Sequence, residues 1–250
     1  MPTVLITGAG HGIGRATAHA LHAKGYRLAL IDRDADAINT LASLGAVVAC
    51  DVTDRESLQQ AILALEAQAG AIDILLACAG VGALTIVPDL NISALRRMLE
   101  VNVIGVAQTI EAVLPGMIDR KRGHIIGIAS VAGFRGLPWM ISYSASKAGL
   151  IAYLEGIRPG LKRRGITVTT VCPGFVRTAI TWDTPFRSPM KMLSPEQAAM
   201  YLVRAVERRP RDYVFPWSTK FGMAILNAVP NRVFDWMMDR AGPRALTSEF

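Results

Sequence analysis

Cysteine is scarce in this chain of 250 residues: Cys50, Cys78 and Cys172 are the only three. None shares a C-x-x-C spacing and all fall near predicted strand ends, so the reading is buried free thiols in a reducing cytoplasm, with no metal site. No linker rich in Pro, Gly or Ser interrupts the sequence, and no repeat or low-complexity tract is present. With 51% apolar residues, the expectation is one globular domain over residues 1–250. The sequence runs almost at once into a strand pattern, so no signal or transit peptide is expected. The apolar tail from Trp217 to Met238 cannot span a membrane, because Asn227, Pro230, Asn231, Arg232 and Asp235 interrupt it well before ~20 apolar residues. The formal charge is +7, with clusters at 120–122, 162–164 and 204–211. These clusters sit at predicted helix ends, where the helix dipole favours cations, and no nucleic-acid motif accompanies them. A nucleic-acid partner is therefore not expected.

What is present is a regular alternation. Strand-like runs cover Thr3–Thr7, Leu28–Ile31, Ala46–Ala49, Ile72–Leu76, His124–Ala129 and Ile166–Val171, with a last short one at Tyr213–Phe215. Helical patterns fall between them at about 34–44, 54–69, 91–119 and 143–164. A further helix is expected to start at Ser194-Pro195-Glu196, a cap followed by proline in the first turn. Such alternation predicts an α/β fold, a doubly wound parallel sheet with helices on both faces. Ligands of these sheets bind beyond the C-terminal strand ends, so residues just after strands matter most.

After the first strand comes Gly8-Ala9-Gly10-His11-Gly12-Ile13-Gly14 and then a helix. A glycine-rich turn there lets the backbone approach a pyrophosphate, whose charge lies at the helix N-terminus. The spacing is G-x-x-x-G-x-G, not the commoner G-x-G-x-x-G. Asp32 follows the second strand, where a carboxylate hydrogen-bonds ribose hydroxyls and repels a 2′-phosphate, which favours NAD. The neighbouring Arg33 would welcome that phosphate, so NADP stays open. Asp51 and Val52 follow the third strand; Asp51 either holds an adenine amino group or caps the next helix. Ala79 and Gly80, after the fourth strand, are small enough for a ribose to lie on the backbone.

Tyr143 and Lys147 lie four residues apart, which on a helix stacks them on one face. A free phenol holds its proton to a pH of about 10, and lowering that by about three units takes roughly 4 kcal/mol. One ammonium about 4 Å away at an effective dielectric near 20 supplies that much. The pair is therefore a candidate acid/base device. Ser130 ends the fifth strand on the ligand side, and Pro173-Gly174, with Val176 and Thr178 beyond, follows the sixth. Asn102, mid-helix, is a poor helix former; it either turns its amide into the site, opens the helix locally, or is a satisfied core amide.

Together these motifs resemble the short-chain dehydrogenase/reductase family, in its compact single-domain branch: Thr7-Gly8-x-x-x-Gly12-Ile13-Gly14, Asp51, Asn102, Ser130, Tyr143-x-x-x-Lys147 and Pro173-Gly174, in order, over roughly residues 3–215. The resemblance implies a three-layer Rossmann-like fold with a central, mostly parallel seven-stranded sheet. It implies an NAD(P)-dependent oxidoreductase moving a hydride between nicotinamide and a secondary alcohol or ketone. In it Tyr143 is the acid/base, Lys147 lowers the phenol pKa and holds the nicotinamide ribose, and Ser130 binds the substrate oxygen. Asn102 anchors a relay water, and Val176 and Thr178 hold the carboxamide. One departure is Ala77-Cys78-Ala79-Gly80, where the family commonly has Asn-Asn-Ala-Gly, so the sheet must make those hydrogen bonds otherwise. The family commonly forms dimers or tetramers through its long fourth and fifth helices, so a homodimer or homotetramer is expected.

The substrate should sit between residues 131–142 and a substrate loop at 179–193, which supply Phe134, Leu137, Trp139, Met140, Ile180, Trp182, Phe186, Met190 and Met192. Such a lining suits a bulky hydrophobic small molecule, while Arg135, Arg177, Arg187 and Lys191 leave room for an anionic group. The C-terminal helical extension, 217–250, either lies on a membrane surface beside Lys220, Arg232 and Arg240 or, the favoured reading, covers the pocket or a neighbouring subunit. The competing function is a catalytically silent cofactor-sensing protein, against which the intact Ser130, Tyr143 and Lys147 argue.

Overall fold

The computed structural model describes residues 1–178 and 192–241. Seven parallel strands form one sheet in the order β3-β2-β1-β4-β5-β6-β7. They are β1 (Thr3–Thr7), β2 (Arg27–Asp32), β3 (Ala46–Ala49), β4 (Ile72–Ala77), β5 (Gly123–Ile128), β6 (Ile166–Pro173) and β7 (Asp212–Phe215). The strands read as near-continuous apolar runs because helices cover both faces, and alternation would leave polar groups in the core. On one face α3 (Arg55–Ala69), α4 (Ile92–Leu99), α5 (Val106–Asp119) and α6 (Ile141–Lys162) pack through Leu58, Ile62, Val106, Ile110 and Leu154. On the other, α1 (Gly12–Ala23), α2 (Ala35–Asn39) and α7 (Pro195–Arg208) pack through Leu21, Ile38, Leu202 and Phe215 of β7. The order reverses between β1 and β4, opening a crevice where a doubly wound sheet binds its ligands.

Several elements depart from the sequence expectation in instructive ways. The helix expected over 34–44 stops at Asn39, because the Thr40 hydroxyl donates to the Ala37 carbonyl and the chain closes into turns through Leu44. The helix expected at 143 begins two residues earlier and ends at Lys162. The one over 91–119 divides into α4 and α5 around a π-helical turn, Glu100–Gly105, centred on Asn102. Although this stretch is long and apolar enough to suit a bilayer, Val101, Val106, Ile110, Val113 and Met117 bury its face against the sheet. Ser194 caps α7 as expected: its hydroxyl accepts from the Gln197 N–H while the Gln197 side chain accepts from the Ser194 N–H. Two C-terminal helices follow, α8 (Trp217–Ala228) and α9 (Asn231–Ala241).

Candidate active site

The glycine turn is held in place by close contact. Gly8 adopts a φ of +68°, and a Cβ on Gly14 would stand 2.1 Å from the Gly8 carbonyl oxygen. Backbone atoms cannot yield that distance, so Gly14→Ala should unfold the turn. We expect a lower Tm and loss of nucleotide-dependent stabilisation by thermal shift, with a folding cost of about 1–3 kcal/mol. His11 precedes α1 without any side-chain cap, leaving the first N–H groups of the helix aimed into the crevice. His11 instead bonds Asp34, Nε2 to Oδ2 at 2.8 Å, on the surface.

Asp32 does more than face a ribose. Its Oδ2 accepts the Gly10 N–H at 2.8 Å and its Oδ1 accepts the Asp34 N–H at 3.0 Å, so this carboxylate also shapes the turn. Gly10 therefore serves the turn from behind and does not line the cavity. Asp51 likewise has partners: the Thr53 N–H and hydroxyl on Oδ1, and Arg97 at 3.1 Å on Oδ2. Burial raises its carboxyl, but these donors together outweigh that and hold it below the usual range. The cap of α3 is Asp54, through the Ser57 N–H, so the alternative of Asp51 as that cap is overturned. After β4, the Ala79 N–H donates to the Thr7 hydroxyl at 3.2 Å, one way the sheet is closed without the missing amides.

The other half of the cavity centres on α6. Lys147 is 4% exposed; its Nζ donates to the Ile128 carbonyl at 2.8 Å and lies 5.7 Å from the Tyr143 ring centroid. Ser130, extended at the end of β5, hydrogen-bonds the Tyr143 phenol and accepts the Ala132 N–H. Burial lifts the phenol to about 12 despite the Ser130 bond, and burial brings the Lys147 ammonium down to about 8. In the protein alone, burial is the largest influence on the phenol and raises it, the opposite direction to the lowering expected from Lys147.

Asn102 is fully buried and outside the cavity wall. Its Oδ1 accepts the Val81 N–H, and its Nδ2 donates to the Val81 carbonyl and to the Ser146 hydroxyl, each at 2.9 Å. Ser146 in turn donates to the Tyr143 carbonyl at 2.8 Å. The π turn thus aims the amide at the catalytic helix and the loop after β4, a positioning bond in place of the expected place on the wall. Ser146 carries no sequence signal of its own; only the amide opposite it reveals the role.

The cavity of about 590 Å³ brings together Gly8, His11, Gly12, Ile13, Asp32, Arg33, Asp51, Val52, Ala79, Gly80, Ser130, Tyr143, Lys147, Pro173, Gly174, Val176 and Thr178. Of the expected site residues, only Gly10 and Asn102 lie off its wall. Cys78, Val81, Arg97, Val101 and Ile128 line it unforeseen; Arg97 and Val101, four apart on one helical face, were within reach of pattern reasoning. Around Tyr143 an apolar cluster of Met98, Ala132, Trp139 and Met140 is flanked by Val81, Leu84, Leu137 and Met238. Phe134 packs instead toward the core below the sheet. Ile180, Trp182, Phe186, Arg187, Met190 and Lys191 lie outside the described residues, whereas Leu193 pairs with the backbone around Val176. Arg135 is engaged: it donates to the carbonyls of Leu226 and Val229 and to Asn231 Oδ1.

A dinucleotide fits this arrangement. The glycine turn and uncapped helix N-terminus suit a pyrophosphate, Asp32 lies at one end of the cavity lining, and Lys147 with Tyr143 stands near Gly80. A Cβ on Gly80 would come 3.2 Å from Asn102 Oδ1 and 3.5 Å from Lys147 Nζ, so glycine keeps that passage open.

Comparison with known proteins agrees. A family model described as short chain dehydrogenase matches residues 2–186. An uncharacterized oxidoreductase of Myxococcus xanthus (strain DK1622) is 36% identical over 240 residues, covering 93% of this chain and 94% of the relative. The crystal structure of a short chain dehydrogenase/reductase from Burkholderia phymatum in complex with NAD superposes with a TM-score of 0.80 at 26% identity, covering 91% of this chain and 93% of that one. An alcohol dehydrogenase from Thermococcus sibiricus complexed with 5-hydroxy-NADP gives a TM-score of 0.77 at 26% identity, over 86% and 96% of the two chains.

Proposed function

The chain belongs to the short-chain dehydrogenase family, and from that premise we propose an NAD-preferring oxidoreductase of bulky, hydrophobic secondary alcohols and ketones. That it is a nicotinamide-dependent oxidoreductase follows from the family. The finer reading rests chiefly on one observation, the Met98, Trp139, Met140 wall beside the Ser130–Tyr143 hydrogen bond.

The bound cofactor supplies a hydride acceptor or donor, which no side chain here can provide. In the oxidative direction the Tyr143 oxygen, as phenolate, would take the proton of the substrate hydroxyl, while the nicotinamide that the glycine turn and Lys147 would hold supplies the hydride acceptor. In reduction the phenol returns its proton to the oxygen. Ser130 donates a hydrogen bond to the same oxygen, fixing the carbon at reacting distance. Lys147 places positive charge beside the phenol, favouring phenolate as the proton leaves. Asn102, through Ser146, holds the turn of α6 that carries Tyr143.

A screen of linear, cyclic and aromatic alcohols and carbonyls, with NAD and NADP supplied separately, tests the proposal by nicotinamide absorbance. Turnover confined to small, polar alcohols would overturn the substrate reading. The preference for NAD has its own test in Asp32→Ser. Removing the carboxylate should raise kcat/KM with NADP relative to NAD by about tenfold or more, equivalent to ~1.4 kcal/mol. It should also lower the Tm, because the Gly10 and Asp34 N–H groups lose their acceptors. An unchanged ratio would remove Asp32 from cofactor choice.

A further inference from the structure

Helix α6 begins without a side-chain cap of its own: Met140, just before its first turn, has no side-chain oxygen to offer. The first N–H groups of any helix lack partners within it, and buried ones must find them elsewhere. Ser142, 2% exposed, donates its N–H to the hydroxyl oxygen of Thr85 at 2.9 Å. Thr85 is itself 1% exposed and lies in the loop after β4, 57 residues back along the chain. The cap of the catalytic helix therefore comes from another element. The hydroxyls of Ser144 and Ser146 serve other groups, the Leu137 N–H and the Tyr143 carbonyl.

The loop that supplies the cap grips α6 on both sides of Tyr143. At its start, the Val81 N–H and carbonyl bond the Asn102 amide, which reaches Ser146 beyond the tyrosine. At its end, Thr85 holds Ser142, the residue just before the tyrosine. The Thr85 backbone makes a separate bond, its N–H to the Trp139 carbonyl at 3.2 Å, beside a parallel bridge between Thr85 and Met140. Its side chain thus addresses the helix, while its backbone addresses the wall of Trp139 and Met140. Between these anchors, Gly80 and Val81 line the cavity and Leu84 flanks the cluster around Tyr143.

We propose that Thr85 is a positioning residue for proton transfer: by capping α6 at Ser142, its hydroxyl fixes where the Tyr143 oxygen stands against Ser130. The inference rests on Tyr143 as the proton carrier and concerns how that carrier is held. Tyr143 sits in the first turn of α6, the turn that loosens when its N–H groups lose their acceptors. Rate is steep in the resulting displacement, since a misplacement of about 1 Å costs on the order of 10²-fold. Asn102 and Thr85 together pin the helix three residues after the tyrosine and one before it, which leaves the phenol little freedom to turn.

Two variants test the proposal. Thr85→Val removes the hydroxyl at nearly constant shape and spares the backbone bond to Trp139; Thr85→Ser keeps the hydroxyl and gives up a buried methyl. In the protein without nucleotide, protection of the Ser142 amide from hydrogen exchange should fall by about tenfold or more in the valine variant. In the serine variant it should stay near the wild-type value. Activity is read with NAD and the secondary alcohol, such as 1-phenylethanol, that the wild type oxidises fastest, well below the lowest Tm. Thr85→Val should lower kcat by about 10–100-fold, with KM and NAD affinity within about twofold. Thr85→Ser should keep kcat within about threefold, although its Tm falls as well. Added to Tyr143→Phe, Thr85→Val should lower the residual rate no further, because its effect passes through the phenol. A wild-type kcat in the valine variant would overturn the proposal. Equal losses in both variants, or a loss that adds to that of Tyr143→Phe, would also overturn it and leave Thr85 a packing residue. Ordinary turnover by Tyr143→Phe alone would remove the proton carrier itself, and this inference with it.

Discussion

Tyr143→Phe is expected to lower kcat by about 10²–10⁴-fold, the range lost when a positioned general acid/base is removed. The substitution deletes one oxygen from a side chain that is 9% exposed and leaves the ring to pack with Met98, Ala132, Trp139 and Met140. Cofactor affinity should change little, and so should the Tm. The lost Ser130 hydrogen bond is offset by relief of a buried polar group, each on the order of 1 kcal/mol. Single-turnover measurement of nicotinamide absorbance separates the chemical step from binding. Ordinary turnover by the variant would place the proton carrier elsewhere. The pH profile supplies a second check on the same group. Burial holds the phenol at about 12, so the phenolate needed for alcohol oxidation is scarce at neutral pH. The oxidation rate should climb with pH up to about 8, where Lys147 begins to lose the charge that favours phenolate, and Ser130→Ala, which removes a bond that also favours phenolate, should lower the rate along that climb.

Lys147→Met should separate activity from stability. Turnover should fall by about 10²-fold or more, because the charge that favours phenolate is gone. Stability should respond with the opposite sign at neutral pH. Burial lowers the folded pKa of Lys147 to about 8, below the ordinary 10.5 of the unfolded chain. Below pH 8 the ammonium is charged in both states and the fold carries its full desolvation penalty. Between about 8 and 10.5 the native protein has released the proton that the unfolded chain still holds, so native stability rises with pH. The wild type should therefore gain on the methionine variant by on the order of 3 kcal/mol across that window, from 1.36 kcal/mol per pKa unit. Taking the difference between the two proteins in denaturant titrations at several pH values cancels the other titrating groups. A flat difference would show that Lys147 is solvated when folded. A lysine kept at such a penalty is the mark of a functional group, where stability is given up for chemistry.

Much of this was legible before any coordinates. Each strand declares itself locally, by a β-branched run between turn residues, and a βαβ alternation admits little besides a parallel sheet. Ligand sites then fall at strand ends, which is why Ser130, Asp32, Gly80 and Gly174 could be named from their places in the pattern. The spacing of Tyr143 and Lys147 likewise needs only a helix to make them neighbours. Asn102 shows the boundary. Its poor helix propensity signalled a local opening, and the π turn is that opening, but the amide's partners, Val81 and Ser146, are fixed by how two distant elements meet.

Charge state and occupancy belonged wholly to the tertiary structure. The sequence places an ammonium four residues from a phenol, yet burial by surrounding elements decides that the phenol rises and the ammonium falls. Desolvation depends on everything packed around a group, and no window of neighbouring residues contains that information. Asp32 read as a ribose ligand and Asp51 as an adenine ligand or a helix cap, until the fold brought Gly10 and Asp34 to one and Arg97 to the other. The tail read as one apolar stretch with two candidate roles; only the fold brought Arg135 to its helix ends and Met238 to the cluster around Tyr143. Sequence alone determined the elements, their order and the residues able to do chemistry, because these follow from short-range sterics and periodicity. The tertiary structure alone decided which polar groups are already partnered and which charges are dry, because both are set by long-range contact.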